Sequence, residues 1–174
     1  KEEIRGTEIQ SLIARMHEVV EQYGIGLAAN QLGESKQLFV IKCVQPPSVK
    51  ERGIPDFPDV PFQVFINPKI IRVSDAIFSF WHGCLSALKE PHGRVGTYQW
   101  IEYEALNEEG EEITGRLESL ASIIFQHEFR HLLGSCYLNH AKEFLPKEEL
   151  NEKRRSGEVK AYEECGDRVP HVLP

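Results

Sequence analysis

Ile9, Leu12, Ile13, Met16, Val19, Val20 and Tyr23 recur three and four residues apart, the period that gathers side chains on one face of an α-helix. The pattern predicts an amphipathic first helix, with Gly24 as its C-cap. A glycine-rich turn, GIGLAANQLG at 24–33, then leads into QLFVIKC, whose β-branched and aromatic residues predict a strand. QVFINPKIIRV predicts a strand pair or one bent strand, broken at Asn67 and Pro68. TYQWIEYEAL, NEEGEE and ITGRL predict a β-hairpin that turns at Gly110. From about Leu117 to Gly134 the period is helical, and Leu117, Leu120, Ile124, His127 and His131 fall on one stripe. LPKEELNEKRR predicts a short charged helix with Pro146 near its start.

Between the strands, the proline-rich stretch at 46–62 reads as a surface loop inserted within one domain. The last residues, about 156–174, read as a loosely ordered tail, and the whole of 1–174 as a single domain. A net charge of −7 argues against broad binding to nucleic acid or to anionic membranes. The only compact basic cluster, EKRR at 152–155, is flanked by acids and reads as a solvated helix face. No apolar run reaches the roughly 18 residues of a membrane span. Cys43, Cys84, Cys136 and Cys165 are widely spaced without a C-x-x-C pair, which favours a reducing compartment over a disulfide scaffold.

Candidate chemistry concentrates in FQHEFRHLLG, residues 125–134. With seven histidines and 23 glutamates in the chain, an H-E-x-x-H arises by composition with a chance of roughly 4%, so the motif needs support from elsewhere. His127 and His131 continue the apolar stripe. One buried histidine is ordinarily satisfied by a hydrogen bond, but two on one stripe each need a partner or cost roughly 1–3 kcal/mol. A single cation satisfies both, and Glu128 on the adjoining edge can act as a base. By residue type the third ligand is open: His140, Glu143, Glu148 and Glu149 lie downstream, and Cys84 in WHGCLS lies upstream.

Three ordered stretches, GIGLAANQ (24–31), HGCLS (82–86) and QHEFRHLLG (126–134), together resemble the peptide deformylases over about residues 8–145. The long proline-rich loop and FQVFINP resemble the mitochondrial branch of that family more than its short bacterial form. The resemblance implies an α+β fold, with mixed or antiparallel strands packed around a central helix that carries H-E-x-x-H. It implies Cys84, His127 and His131 as ligands of one divalent metal ion, Fe2+ or Zn2+, for which Ni2+ or Co2+ can substitute. Glu128 becomes the base, while the Gln31 amide and the Leu85 N–H become the groups that hold the developing oxyanion. Ile25, Gly26 and Gly83 would meet the peptide backbone, and Leu120, Ile123 and Ile124 the methionine side chain. The implied reaction removes formyl from the N-terminal formyl-Met of a nascent peptide. No nucleic acid or membrane partner follows, and the location is an organelle matrix such as the mitochondrion's, or otherwise the cytoplasm.

Three positions depart from the family pattern. His82 stands where the family has Glu, Thr97 where it has Arg, and Arg130 where it has Asp. All three lose or exchange charge, so the changes are expected to be linked, with Arg130 supplying part of the positive charge missing at 97. His82 is placed to reshape the pocket, to add a hydrogen bond or to compete for the metal. A relative with lost or altered activity, and an unrelated H-E-x-x-H endopeptidase, are the competing readings.

Overall fold

A computed structural model describes residues 2–44, 57–167 and 169. Helix α1 (Thr7–Tyr23) buries Ile9, Leu12, Ile13, Met16 and Val20, as its periodicity predicts. Tyr23 instead stands 65% exposed at the helix end. Gly24 closes the helix with its N–H donating to the Val20 carbonyl at 3.3 Å, but its φ of −156° is extended backbone. Its small size serves a close approach: a Cβ there would meet Leu85 Cδ1 at 2.9 Å.

Two antiparallel sheets follow. The larger runs in the order β1 (Gly26–Ala28), β2 (Leu38–Cys43), β3 (Val60–Val73), β6 (Trp100–Leu106) and β7 (Glu112–Glu118). In the smaller, β8 (Glu143–Leu145), β5 (His92–Tyr98), β4 (Ile77–His82) and β9 (Tyr162–Glu164) lie side by side. The glycine-rich stretch is thus more than a turn, because Gly26–Ala28 pair with Phe39–Ile41 before a 3-10 turn at Ala29–Leu32. Of the two readings of QVFINPKIIRV, one bent strand is found. Its register against β6 shifts between Ile66 and Lys69, where Asn67 takes a φ of 50°, a left-handed conformation that asparagine tolerates better than most residues. The β6–β7 hairpin turns where predicted, with Gly110 at a φ of 73°.

Helix α2 (Ser119–Leu132) begins later than its periodicity suggests. Leu117 pairs with Ile101 in β7, so it leaves the predicted stripe, and Ser119, with a φ of 51°, makes the sharp passage from strand to helix. The helix packs on the larger sheet through Phe125 and is tied to the smaller one by Gln126, whose amide exchanges hydrogen bonds with the Tyr98 backbone. The Phe125 ring meets Phe39 and Phe65 edge-on, with centroids 4.9 Å apart in each pair, a geometry that aromatic quadrupoles favour. Strand β2 is buried on both faces: Phe39 and Ile41 join the α2 core, while Leu38 and Val40 join the core under α1. That double burial explains its continuous apolar run.

The proline-rich loop predicted at 46–62 falls largely outside the described residues. Its last part does not behave as a surface loop, since Phe57 is buried against Tyr162 and Val60–Phe62 begin β3. Helix α3 (Lys147–Arg155) forms where expected and turns Leu150 inward. The tail is not loose over 161–167: Ala161 is buried, Tyr162 packs on Phe78 and β9 extends β4. The pairing partner β4 is remote in sequence, so local polarity gave no sign of it.

Candidate active site

Strand β4 ends at His82, and the chain turns through Gly83 into a 3-10 turn at Leu85–Ala87. That turn sets Cys84 against the face of α2 that carries His127, Glu128 and His131. Cys84 Sγ lies 3.3 Å from His131 Nε2. The potential ligand atoms of Cys84, His127 and His131 all lie within 4.8 Å of one another. One thiol and two imidazoles at this spacing suit a borderline-soft divalent cation. The other candidates for a third ligand are engaged or placed elsewhere. Glu143 pairs with Arg94 at 3.0 Å, Glu149 with Lys153 at 3.3 Å, and the His140 ring with the Ser135 hydroxyl, while Glu148 is exposed on α3.

Burial governs the protonation of these groups. It lowers His127 to about 3, helped by the neighbouring His131 and Arg130, and lowers His131 to about 4. Both rings are therefore neutral near pH 7 and keep a lone pair for ligation. Burial raises the Cys84 thiol, opposed by hydrogen bonding from Ser86. It also pushes Glu128 well above the ordinary carboxylate range, as a carboxyl group shifts when removed from water. Glu128 Oε2 has no hydrogen-bond partner among the described residues. Beneath it lies Gly26, where a Cβ would stand 2.3 Å from Oε1. Only glycine admits the carboxylate at that distance.

Gln31 is fixed at both ends of its amide. Its Oε1 accepts from the Ala28 N–H at 2.8 Å, and its Nε2 donates to Ser86 Oγ at 2.9 Å and lies 3.4 Å from Cys84 Sγ. Asn30, one residue earlier, donates to the carbonyl of His131. The loop that precedes β2 thus braces the helix that carries the motif.

A cavity of about 500 Å³ opens beside these groups. Ile25, Gly26, Gln31, Gly83, Cys84, Leu85, His127 and Glu128 all line it, and Leu120, Ile123 and Ile124 form an apolar wall together with Cys43 and Phe80. Residues with no signal in the sequence line it as well: Trp81, His92 and, from α3, Lys147, Asn151 and Arg154. They come from β4, β5 and α3, whose meeting at one cavity no local pattern encodes.

Of the three altered positions only His82 lines the cavity. Its Nδ1 lies 3.0 Å from His127 Nδ1. Thr97 and Arg130 are buried away from the cavity. Thr97 Oγ1 donates to the Phe78 carbonyl at 3.1 Å. Arg130, only 2% exposed, reaches the adjacent Gly96 carbonyl with Nη2 at 3.4 Å, while Nε and Nη1 have no partner among the described residues. Burial lowers its guanidinium to about 10, so it is a cation at neutral pH.

A family model described as polypeptide deformylase matches residues 1–147. The chain belongs to that family. Similar relatives include peptide deformylase 2 of Corynebacterium efficiens, 37% identical over 75% of this chain and 66% of its own length. Peptide deformylase 2 of Pseudomonas syringae is 32% identical over 79% of this chain and 74% of its own length. Among solved structures, a class I type b peptide deformylase of Acinetobacter baumannii bound to Met-Ala-Ser is similar with a TM-score of 0.70 and 27% identity. That match covers 78% of this chain and 82% of the other. The peptide deformylase of Thermotoga maritima is similar with a TM-score of 0.65 and 28% identity, covering 80% and 84% of the two chains. Membership bears out the α+β deformylase fold and disfavours an unrelated endopeptidase. Because helix α3 begins at Lys147, where the family match ends, most of its contribution to the cavity wall lies beyond that match.

Proposed function

We propose that this chain is a metal-dependent hydrolase that removes the formyl group from the N-terminal formyl-Met of peptides. The observation that carries the reading is the convergence of Cys84, His127 and His131 beside Glu128 and Gln31 at one end of an apolar cavity. Residues of this kind are able to hold a single divalent ion such as Fe2+ or Zn2+. Such an ion, once bound, supplies Lewis acidity toward the formyl oxygen and toward water.

In this reading Glu128 takes a proton from the attacking water and returns it to the leaving amine. Water oxygen adds to the formyl carbon, the carbon–nitrogen bond breaks, and formate and a free amino terminus result. A carboxyl raised by burial is suited to holding that proton between the two transfers. Gln31 Nε2 and the Leu85 N–H serve as donors to the oxygen that gains charge. Strand β1 is the outer strand of its sheet, so Ile25 and Gly26 offer the substrate backbone an edge to lie along. Leu120, Ile123 and Ile124 receive the methionine side chain.

The substrate's source is a nascent formylated peptide, consistent with the Met-Ala-Ser tripeptide on the Acinetobacter baumannii relative. An organellar location rests on the proline-rich segment and FQVFINP, whereas the relatives compared are bacterial proteins. No helix among the described residues is long and apolar enough to cross a membrane.

The test is metal analysis of anaerobically purified protein, followed by turnover of a formyl-Met peptide by the wild type and by Glu128→Ala. About one bound metal per chain is expected, with turnover lost in the variant while the metal is kept. Absence of bound metal after Fe2+, Zn2+ or Ni2+ supplementation would overturn the proposal, as would full turnover by Glu128→Ala.

A further inference from the structure

His82 faces His127 across the site, and the geometry of the pair is informative. The two ring planes are within 7° of parallel and their centroids are 5.2 Å apart, while the Nδ1 atoms are 3.0 Å apart. Nearly parallel planes that hold atoms 3.0 Å apart are themselves separated by no more than about that distance, so most of the centroid separation is sideways. The rings therefore do not overlap face to face. They meet at their edges, where one Nδ1 donates a hydrogen bond to the other.

The proton in that bond has two placements. If His82 Nδ1–H donates, neutral His127 carries its own proton on Nε2 and has no bare nitrogen outside the pair. If His127 Nδ1–H donates, His127 Nε2 is left bare. In both placements His82 Nε2 is without a partner among the described residues, so that atom does not choose between them. His82 is only 4% exposed and its hydrogen bond is to another imidazole, surroundings in which an imidazole stays uncharged. A glutamate at this position would be acceptor-only once ionised and would fix His127 in the second form permanently. A neutral histidine acts as donor or acceptor, so it fixes the form only when ligation selects it.

We propose that His82 is a positioning residue that accepts a hydrogen bond from His127 Nδ1–H and so presents His127 Nε2 to a divalent cation shared with Cys84 and His131. This rests on the functional reading above and adds to it a switchable, uncharged orienting partner. Partners of this kind change metal affinity by about 10- to 100-fold when removed. A neutral acceptor makes His127 a weaker donor than a carboxylate partner would, so the affinity of this chain is set below that of the same site with Glu at 82.

The test uses the 174-residue chain with Zn2+ as the probe. Zinc affinity is read by competition with a chromogenic chelator for wild type, His82→Leu and His82→Glu, and the histidine tautomers by proton–nitrogen correlation spectra of the wild type with and without zinc. Expected are about 10- to 100-fold weaker binding in His82→Leu, binding at least as tight as wild type in His82→Glu, and a zinc form in which His127 is protonated at Nδ1 and His82 at Nε2. Equal affinity in wild type and a folded His82→Leu overturns the inference, as does a zinc form with His82 protonated at Nδ1. The spectra of the wild type decide the matter alone if the leucine variant does not fold. If the wild type binds no zinc and no other divalent ion, the functional reading fails as well. Zinc binding that ignores position 82 removes only this inference.

Discussion

Glu128 rests directly on the Cα of Gly26, with so little space between them that an added methyl would stand 2.3 Å from the carboxylate oxygen. The two residues come from different motifs 102 positions apart (128 − 26). The Gly26→Ala variant is expected to keep the fold and displace the carboxylate, lowering kcat by about 100-fold, the scale of a 1 Å misplacement of a reacting group. Steady-state kinetics with metal content measured on the same sample checks this, and wild-type kcat in the alanine variant would contradict it.

Gln31 donates toward Cys84 and Ser86 with one end of its amide and accepts from Ala28 with the other. The isosteric Gln31→Glu change keeps the acceptor for the Ala28 N–H but puts an acceptor where the donor was. Turnover is expected to fall about 100- to 1,000-fold, the range for losing one oxyanion donor, with thermal stability little changed. An unaltered kcat would remove Gln31 from the reaction.

Arg130 carries a buried charge whose only hydrogen bond among the described residues is to Gly96, next to Thr97. That reach sets it beside position 97, where we propose that it replaces in part a missing cation. Arg130→Asp alone would lose the bond to the Gly96 carbonyl and set a buried carboxylate against it, and is expected to cost about 1–3 kcal/mol. The triple change Arg130→Asp, Thr97→Arg and His82→Glu is expected to recover most of that loss. Equal melting temperatures for the single and triple variants would show that the three positions are independent.

Asp167 ties the C-terminal segment to the smaller sheet through Lys142 at 2.7 Å and Arg94 at 2.9 Å. The hydrogen bond from Lys142, together with both positive charges, holds its carboxyl below the usual aspartate value. A depressed folded value means stability that is complete above the unfolded pKa, ~3.9 for aspartate, and is lost as pH falls below it. Asp167→Asn is therefore expected to be less stable than wild type by about 1 kcal/mol or less at pH 7. The difference should shrink from about pH 4 downward. Urea midpoints at pH 7, 5, 4 and 3 measure it, and a constant difference would contradict the linkage.

Periodicity was enough to locate α1, the β6–β7 hairpin and α3, because each is set by neighbours within a few turns or by one glycine. It misjudged the start of α2, since Leu117 suits either a helical stripe or a strand face and only its pairing with Ile101 decides. The tail misled for the same reason: Tyr162 is one aromatic among polar residues until β4 supplies an edge and Phe78 a ring to pack on.

The sequence by itself determined the chemical types of the site, for His127, Glu128 and His131 sit on one helix at a spacing fixed by 3.6 residues per turn, and HGCLS and GIGLAANQ carry the family pattern around them. Tertiary structure decided that Cys84, which the family pattern had singled out, lies within 4.8 Å of both histidines while Glu143 and His140 are engaged elsewhere, that Gly26 makes room for Glu128, and that His82 turns its edge to His127. Those relationships join segments dozens of residues apart, and their distances follow from how two sheets pack on α2, a property of the assembled core that no local spacing specifies.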